Sequence, residues 1–306
     1  MFSWRGSLFS LLLLLCFSAS ALSESAPPDV SKTVNEVRLE LVATDTFGRP
    51  VASLSPADIQ VMEDGKRVHA FTLTPARDLP LLATLVYDTS ESNDKSWRQM
   101  QPAVVNFLRQ TITSNDQLWI AAFESKLQFD VPARGGMQFR RALSAPAGHE
   151  HLTAFNDSLF KTLRGYPAGN TVPHRAAMIV FSDGEDNYSI HSAADVITAA
   201  QRAKVTVYTI RRLNKRGWGN GGPVLHRLSS GTGGRDFDVS SVRDLEKVLE
   251  TISSELRSCY LLYYPAPPNR TGSEFRTVSV TPRSKRVHIQ AQAGYYMPVP
   301  ATAPGD

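Results

Sequence analysis

Leu81-Leu82-Ala83-Thr84-Leu85-Val86-Tyr87-Asp88-Thr89-Ser90-Glu91-Ser92 is the stretch around which the chain is organised. An apolar run long enough for a strand stops at an acid, and two hydroxyls follow at alternate positions, giving Asp88, Ser90 and Ser92. A strand without polar alternation belongs in a parallel sheet covered on both faces, and open α/β sheets bind their ligands where such strands end. The stretch therefore reads as a buried strand turning toward a helix, with oxygen ligands for a divalent cation at the turn.

Outward from it, short apolar runs alternate with helical spacing. Strands are predicted at Leu118 to Phe123, Leu127 to Val131, Ala176 to Phe181, Val205 to Ile210 and Arg235 to Val239. Helices are predicted at Trp97 to Thr111, Arg140 to Leu143, Asn156 to Leu163, Ala193 to Ala203, Pro223 to Ser230 and Val242 to Leu256. Strands separated by helices imply a mainly parallel sheet with helices on both faces, a doubly wound α/β domain over residues 78–257. Before it, Val37, Leu39, Leu41 and Ala43 alternate with Glu36, Arg38 and Glu40, and two more strands, Ile59 to Glu63 and Val68 to Leu73, flank an Asp64-Gly65 hairpin signal. After it, strands are predicted at Cys259 to Tyr264, Phe275 to Thr281 and Val287 to Gln292. Neither flank makes a domain alone, so residues 34–77 and 258–298 are expected to pair as one β-sandwich with the α/β domain inserted in it.

The N-terminus is of another kind. Arg5 opens a short positive region, Leu8 to Phe17 is apolar but too short to span a bilayer, and Ala19-Ser20-Ala21 offers a cleavage site. Residues 1–21 read as a secretory signal, with a retained membrane anchor as the alternative; residues 22–33 read as a flexible lead and 299–306 as a flexible tail. The expected location is extracytoplasmic, periplasmic or secreted, with no membrane span after cleavage. Losing Arg5 takes the formal charge from +4 to +3, spread along the chain, which argues against nucleic acid as a partner. Cys259 is then the sole cysteine and, next to Tyr260-Leu261-Leu262-Tyr263, reads as a buried strand residue.

Magnesium takes six oxygens at short, nearly octahedral distances, from few carboxylates plus hydroxyls, waters or a partner. Thr153, in His151-Leu152-Thr153-Ala154, and Asp183, in Val180-Phe181-Ser182-Asp183-Gly184, are the further oxygens at plausible strand ends. Together these residues resemble the von Willebrand factor type A domain and its metal-ion-dependent adhesion site. Asp-x-Ser-x-Ser matches at Asp88, Ser90 and Ser92; the family threonine falls on Thr153, followed by Ala154 and a helical Asp157; the family aspartate falls on Asp183. Asp45, Gly48 and Pro50 before Val51, Glu63-Asp64-Gly65, and the closing Gly294-Tyr295-Tyr296 are similar to the exported bacterial proteins called VWFA-related. The resemblance implies that Ser90, Ser92 and Thr153 bind the cation directly and that Asp88 and Asp183 do so directly or through water. The cation would be Mg²⁺, with Mn²⁺ or Ca²⁺ as alternatives, and a protein ligand would supply a carboxylate to the open sixth position. Glu91 stands where the family often has a small residue, and Glu185 and Asp186 add acids that could bind the ion through water or raise its affinity, but are expected to be merely solvated.

Other readings follow from the same residues. Ser and Asp after a strand are also ordinary helix caps. His149 and His151 have the spacing of a zinc pair but no third ligand, and Gly217 to Gly222 and Gly231 to Gly234 lack the Lys-Ser/Thr of a phosphate loop, leaving Trp218 as a surface residue beside them. Asn156, Asn187 and Asn269 each open an Asn-x-Ser/Thr triplet. A magnesium-dependent phosphoryl-transfer hydrolase is one alternative function, opposed by the absence of a phosphate cradle and a nucleophile with its base. A structural envelope protein with no working metal site is the other.

Overall fold

A computed structural model describes residues 36–129, 136–144, 152–166, 174–213, 221–267 and 274–296, without the side chains of residues 91–96, 128–129 and 136. The signal, the lead, the tail, His149, His151, Trp218 and Asn269 lie outside the described residues.

The chain opens with β1 (Glu36–Asp45), β2 (Ile59–Glu63), β3 (Lys66–Arg67) and β4 (Thr72–Pro75). It continues through β5 (Leu81–Asp88), α1 (Glu91–Thr111), β6 (Gln117–Phe123), β7 (Leu127–Phe129), α2 (Gly136–Ala142), α3 (Phe155–Arg164) and β8 (Arg175–Phe181). Then come α4 (Ala193–Ala203), β9 (Val205–Arg212), α5 (Gly222–Thr232), β10 (Asp236–Val239) and α6 (Val242–Arg257). The last four strands are β11 (Tyr260–Pro265), β12 (Phe275–Pro282), β13 (Val287–Ala291) and β14 (Gly294–Tyr296).

The middle elements form a six-stranded sheet in the order β10-β9-β8-β5-β6-β7, parallel except for β7, which pairs antiparallel at one edge. All eight residues of β5 are buried, as a central strand with helices on both faces requires. Its side chains alternate between two cores. Leu81, Ala83, Leu85 and Tyr87 pack with α1, α2 and α6, whereas Leu82 and Val86 pack with α3, α4 and α5. The doubly wound fold read from the apolar runs is the fold observed.

The outer strands form two antiparallel four-stranded sheets, β13-β1-β11-β4 and β14-β12-β2-β3, each combining strands from before and after the α/β domain. Val37, Leu39, Leu41, Ile59, Val61, Tyr260, Leu262, Tyr264 and Val278 make the core they share. Two details differ from the expectation. The strand predicted at Val68 to Leu73 is two pieces: β3 stays with β2, and β4 pairs with β11 in the other sheet. Val68 and Phe71, in the crossing between them, pack against the core of the sandwich, so their apolar character serves the turn. The closing Gly-Tyr-Tyr is itself a strand, paired with β12.

The α/β domain enters through Leu79 and leaves through Leu256 to Cys259, and Arg175 holds both passages. Its Nη2 donates to the Leu79 carbonyl at 3.3 Å, and its Nη1 donates to the Leu256 carbonyl and to Cys259 Sγ at 3.2 Å. Arg175 is only 1% exposed. Glu40 of β1 lies within its field; burial pushes that carboxyl up and Arg175 pulls it down. Burial likewise pushes the Cys259 thiol up, to about 12, which keeps it an unreactive core sulfur.

Arg175→Met strands two backbone carbonyls and removes the cation facing Glu40. It is expected to cost about 3 kcal/mol or more in urea denaturation, because breaking a buried ionic contact leaves its partner uncompensated. Adding Glu40→Gln should restore part of that loss. A single variant within about 1 kcal/mol of the parent would show that the clip does not hold the insertion.

Candidate metal centre

From β5 the chain moves to β6 on one side and later returns to β8 on the other, so the strand order reverses at β5. The helix α1 that follows β5 covers one face, and α3, which leads into β8, covers the opposite face. A crevice opens where strand order reverses, at the carboxyl ends of the strands. Asp88 is the last residue of β5, Asp183 lies two residues beyond the end of β8, and both strands border this point.

Asp88 is 1% exposed. Its Oδ1 accepts from the Ser90 amide at 2.9 Å, and its Oδ2 accepts from the Ser182 hydroxyl at 2.8 Å. Ser182 Oγ in turn accepts from the Gly184 amide at 3.0 Å, so the serine ties Asp88 to the turn carrying Asp183. Burial pushes the Asp88 carboxyl up, to about 6; the Asp183 charge adds to this, while the bonds from Ser90 and Ser182 work against it. The two carboxylates therefore repel one another across a desolvated position, and a bound cation would relieve that repulsion.

Ser90 occupies the N-cap position of α1, yet its side chain makes no cap bond to the helix. Its hydroxyl bonds to Asp88 instead, so the ordinary capping reading of this serine does not describe it. Ser90 and Thr89 are both buried, and Thr89 is fixed by donating from its amide and its hydroxyl to the Phe123 carbonyl at 2.9 and 3.0 Å. Ser92 falls in the first turn of α1, and its side chain lies outside the described residues.

Thr153 is buried just before α3. The Asn187 side chain accepts from its amide at 2.7 Å, and its carbonyl accepts from the Asn187 amide at 3.1 Å. The next amide, of Ala154, donates to the Glu124 carbonyl just past β6 at 2.8 Å. Thr153 is thus held between the end of β6 and the loop after β8, the two strands that flank β5. Of the five sequence-derived oxygens, Asp88 and Ser90 are hydrogen-bonded, Asp183 acts on Asp88 through its charge from a turn that Ser182 ties to it, and Thr153 is anchored to both sides of the same edge.

The loop after β8 does more than present Asp183. Asp186 Oδ2 accepts from the Asn156 amide at 2.7 Å, and its Oδ1 accepts from the amides of Tyr188 and Ser189 at 3.2 and 3.0 Å. The expectation that Asp186 is merely solvated is therefore corrected: it fastens the loop to the start of α3. Asp157 answers from the helix, accepting from the Ile190 and His191 amides and from His191 Nδ1. Those bonds outweigh partial burial and hold its carboxyl below the usual range. Gly184 has φ +77°, and a Cβ there would lie 2.8 Å from the Gly221 carbonyl oxygen, so only glycine fits between Asp183 and the start of α5.

Arg211, at the end of β9, is a charged neighbour that no motif announced. It is buried, binds Asp238 through both Nε and Nη2 at 2.7 and 2.8 Å, and lies within the field of Asp183. Ser182, Asn187 and Arg211 bond to Asp88, Thr153 and Asp238, and no family motif position falls on them, so the motif passes over them.

Around the centre Leu152, Tyr188 and Ile190 are exposed, Ile190 at 88%. The residues fit a hard cation by chemistry: carboxylate and hydroxyl oxygens, no sulfur and no imidazole. Among the described residues no group of three His, Cys, Asp or Glu side chains stands placed for a metal.

No protein-family model matches the chain, and no curated protein matches it in sequence. Solved structures with a similar course include a von Willebrand factor type A protein from Catenulispora acidiphila, at 10% identity and TM-score 0.49, covering 87% of this chain and 74% of that one. Proximal thread matrix protein 1 from the mussel byssus is similar at 16% identity and TM-score 0.48 over 71% of this chain, which spans half the length of the mussel protein. The conserved hypothetical protein BatB from Bacteroides thetaiotaomicron is similar at 15% identity and TM-score 0.47, over 58% of this chain and all of that one.

With metal withheld by chelator, the folded chain keeps the Asp88 proton up to about pH 6, whereas the unfolded chain releases it near 3.8. The folded state binds more protons in that window, so stability is expected to fall as pH rises from 4 to 6, by on the order of 2 kcal/mol. Urea midpoints across that range should show the decline, and Asp88→Asn should flatten it. An unchanged slope in the variant would assign the titration elsewhere.

Proposed function

We propose that the chain is a divalent-cation-dependent protein-binding module that works outside the cytoplasm. The observation that carries this reading is Asp88: a carboxylate taken out of water, hydrogen-bonded by two serines and set against a second carboxylate at the crevice of the sheet. Asp88, Ser90, Ser92, Thr153 and Asp183 would hold Mg²⁺, with Mn²⁺ or Ca²⁺ able to replace it. When bound, the ion supplies a positive charge that a partner's carboxylate completes. Two carboxylates against a doubly charged ion leave no excess negative charge to repel that ligand. The amino ends of α1 and α3 at the same edge favour an incoming anion as well.

The exposed Leu152, Tyr188 and Ile190 give the partner an apolar surface beside the ion, so the ligand is an acidic side chain flanked by apolar residues. Export rests on residues 1–21, with their short apolar core and small-residue cleavage site. No described helix is long and apolar enough to cross a membrane. A phosphoryl-transfer role gains little, because Arg211, the nearby guanidinium, is already taken by both oxygens of Asp238.

Calorimetry on residues 22–306 should record one Mg²⁺ or Mn²⁺ site. Asp88→Ala should abolish it, and Thr153→Ala should weaken it about tenfold, the loss of one direct oxygen. The reading is abandoned if the parent chain takes up neither ion, or if Asp88→Ala binds as the parent does.

A further inference from the structure

We propose that a cleft between α3, α4 and the β-sandwich binds a small organic anion, a carboxylate or phosphate head on an apolar body. The cleft has a volume of about 690 Å³, within the range of small-molecule sites. It lies at the amino edge of the parallel sheet, since Arg175 begins β8 and Lys204 directly precedes β9. The metal centre occupies the opposite edge, so the two sites are separate.

The charge of the lining is lopsided. Arg38, Arg164, Arg175, Arg202 and Lys204 bring five cations, with His174 beside them, against the two carboxylates Glu40 and Asp195. Asp195 is committed to the start of α4, accepting from the Ser192 amide and hydroxyl at 2.8 and 2.7 Å, and Glu40 answers Arg175. Five less two leaves three cations without a carboxylate among the described lining residues. Helix ends explain some of this excess, because α3 and α4 both finish here and cations suit a carboxyl terminus. That accounts for Arg164 and Arg202; Arg175, from β8, serves the clip, and Arg38, from β1, donates to the His174 carbonyl, yet both keep their charge beside the cleft.

Arg175 adds charge rather than a contact: it is 99% buried and its Nη atoms are used by the clip described above, so only its field reaches a head group held by the exposed Arg164 and Lys204. Phe160, Leu163 and Tyr166 on one wall and Leu261 on the other are apolar, so the body of the ligand meets carbon while its head meets the arginines.

The test uses residues 22–306 and three probes: 8-anilinonaphthalene-1-sulfonate by fluorescence, and octyl phosphate and octanoate by calorimetry. One-to-one binding of the sulfonate and at least one octyl anion is expected, with the two octyl arms deciding between phosphate and carboxylate. Arg164→Glu with Lys204→Glu, both exposed, should weaken binding about tenfold or more. Should that pair fail to fold, Arg164→Gln with Lys204→Gln carries the same expectation at a smaller size. Binding should persist in Asp88→Ala. The proposal is overturned by no binding of any probe, by uncharged octanol binding as well as octyl phosphate, by unchanged affinity in the folded double variant, or by loss of binding in Asp88→Ala.

Discussion

An inserted domain must enter and leave its host at neighbouring points, and here one guanidinium gathers both. Arg175 reaches the Leu79 carbonyl on the way in and the Leu256 carbonyl on the way out, from the first residue of the strand that pairs with β5. Carbonyls at such junctions belong to no ladder and, once buried, need a donor. Arginine is suited to this because its fork serves several acceptors at once and never loses its charge. The arrangement has a consequence for the sandwich: β4 and β11, which flank the insertion, are paired strands of the same sheet. The two passages therefore begin side by side, and the clip completes what that pairing starts.

Fixing the amino edge leaves the carboxyl edge free to carry chemistry. β5 is buried along its whole length between β6 and β8, so Asp88 emerges at a position the sheet has already set. The loops that complete the centre then brace one another through polar contacts: Asn187 to Thr153, Asp186 to Asn156, and Asp157 to Ile190 and His191. His191 also stacks on Phe160, ring centres 3.9 Å apart, joining the loop after β8 to the body of α3. Loops braced in this way would hold the candidate oxygens in place before an ion arrives, and so lower the cost of assembling a site around it.

The parallel sheet was legible because its strands lack polar alternation and its helices show regular apolar spacing. The sandwich was legible because two flanks, each too small to fold alone, had only each other as partners. What escaped was direction and crossing. Val68 to Leu73 reads as one strand by composition, but the apolar residues Val68 and Phe71 line a passage between two sheets, which no local pattern distinguishes from a strand. Arg175 reads as the polar boundary of an apolar run, and nothing in the sequence tells that its side chain turns inward. At the candidate centre the sequence names the candidate oxygens by type, and Asp186 as an added acid, but not the bracing bonds of Ser182, Asn187 and Asp186, since a residue that braces another needs no chemistry beyond a hydrogen bond.

The same distinction explains why Ser90 is informative. A serine at a helix start has a ready use, and the capping bond it forgoes would have stabilised α1 by about 1 kcal/mol. Its hydroxyl is turned to a carboxylate that burial has already pushed toward the neutral form. Neither choice serves stability alone: the helix loses a cap, and the sheet carries an acid in a place where water cannot solvate it. Strain of this kind persists where a surrounding structure fixes it and a function uses it. A cation between Asp88 and Asp183 would turn both costs into binding energy, since it would restore the charge of Asp88 and use the oxygen that Ser90 withholds from the helix.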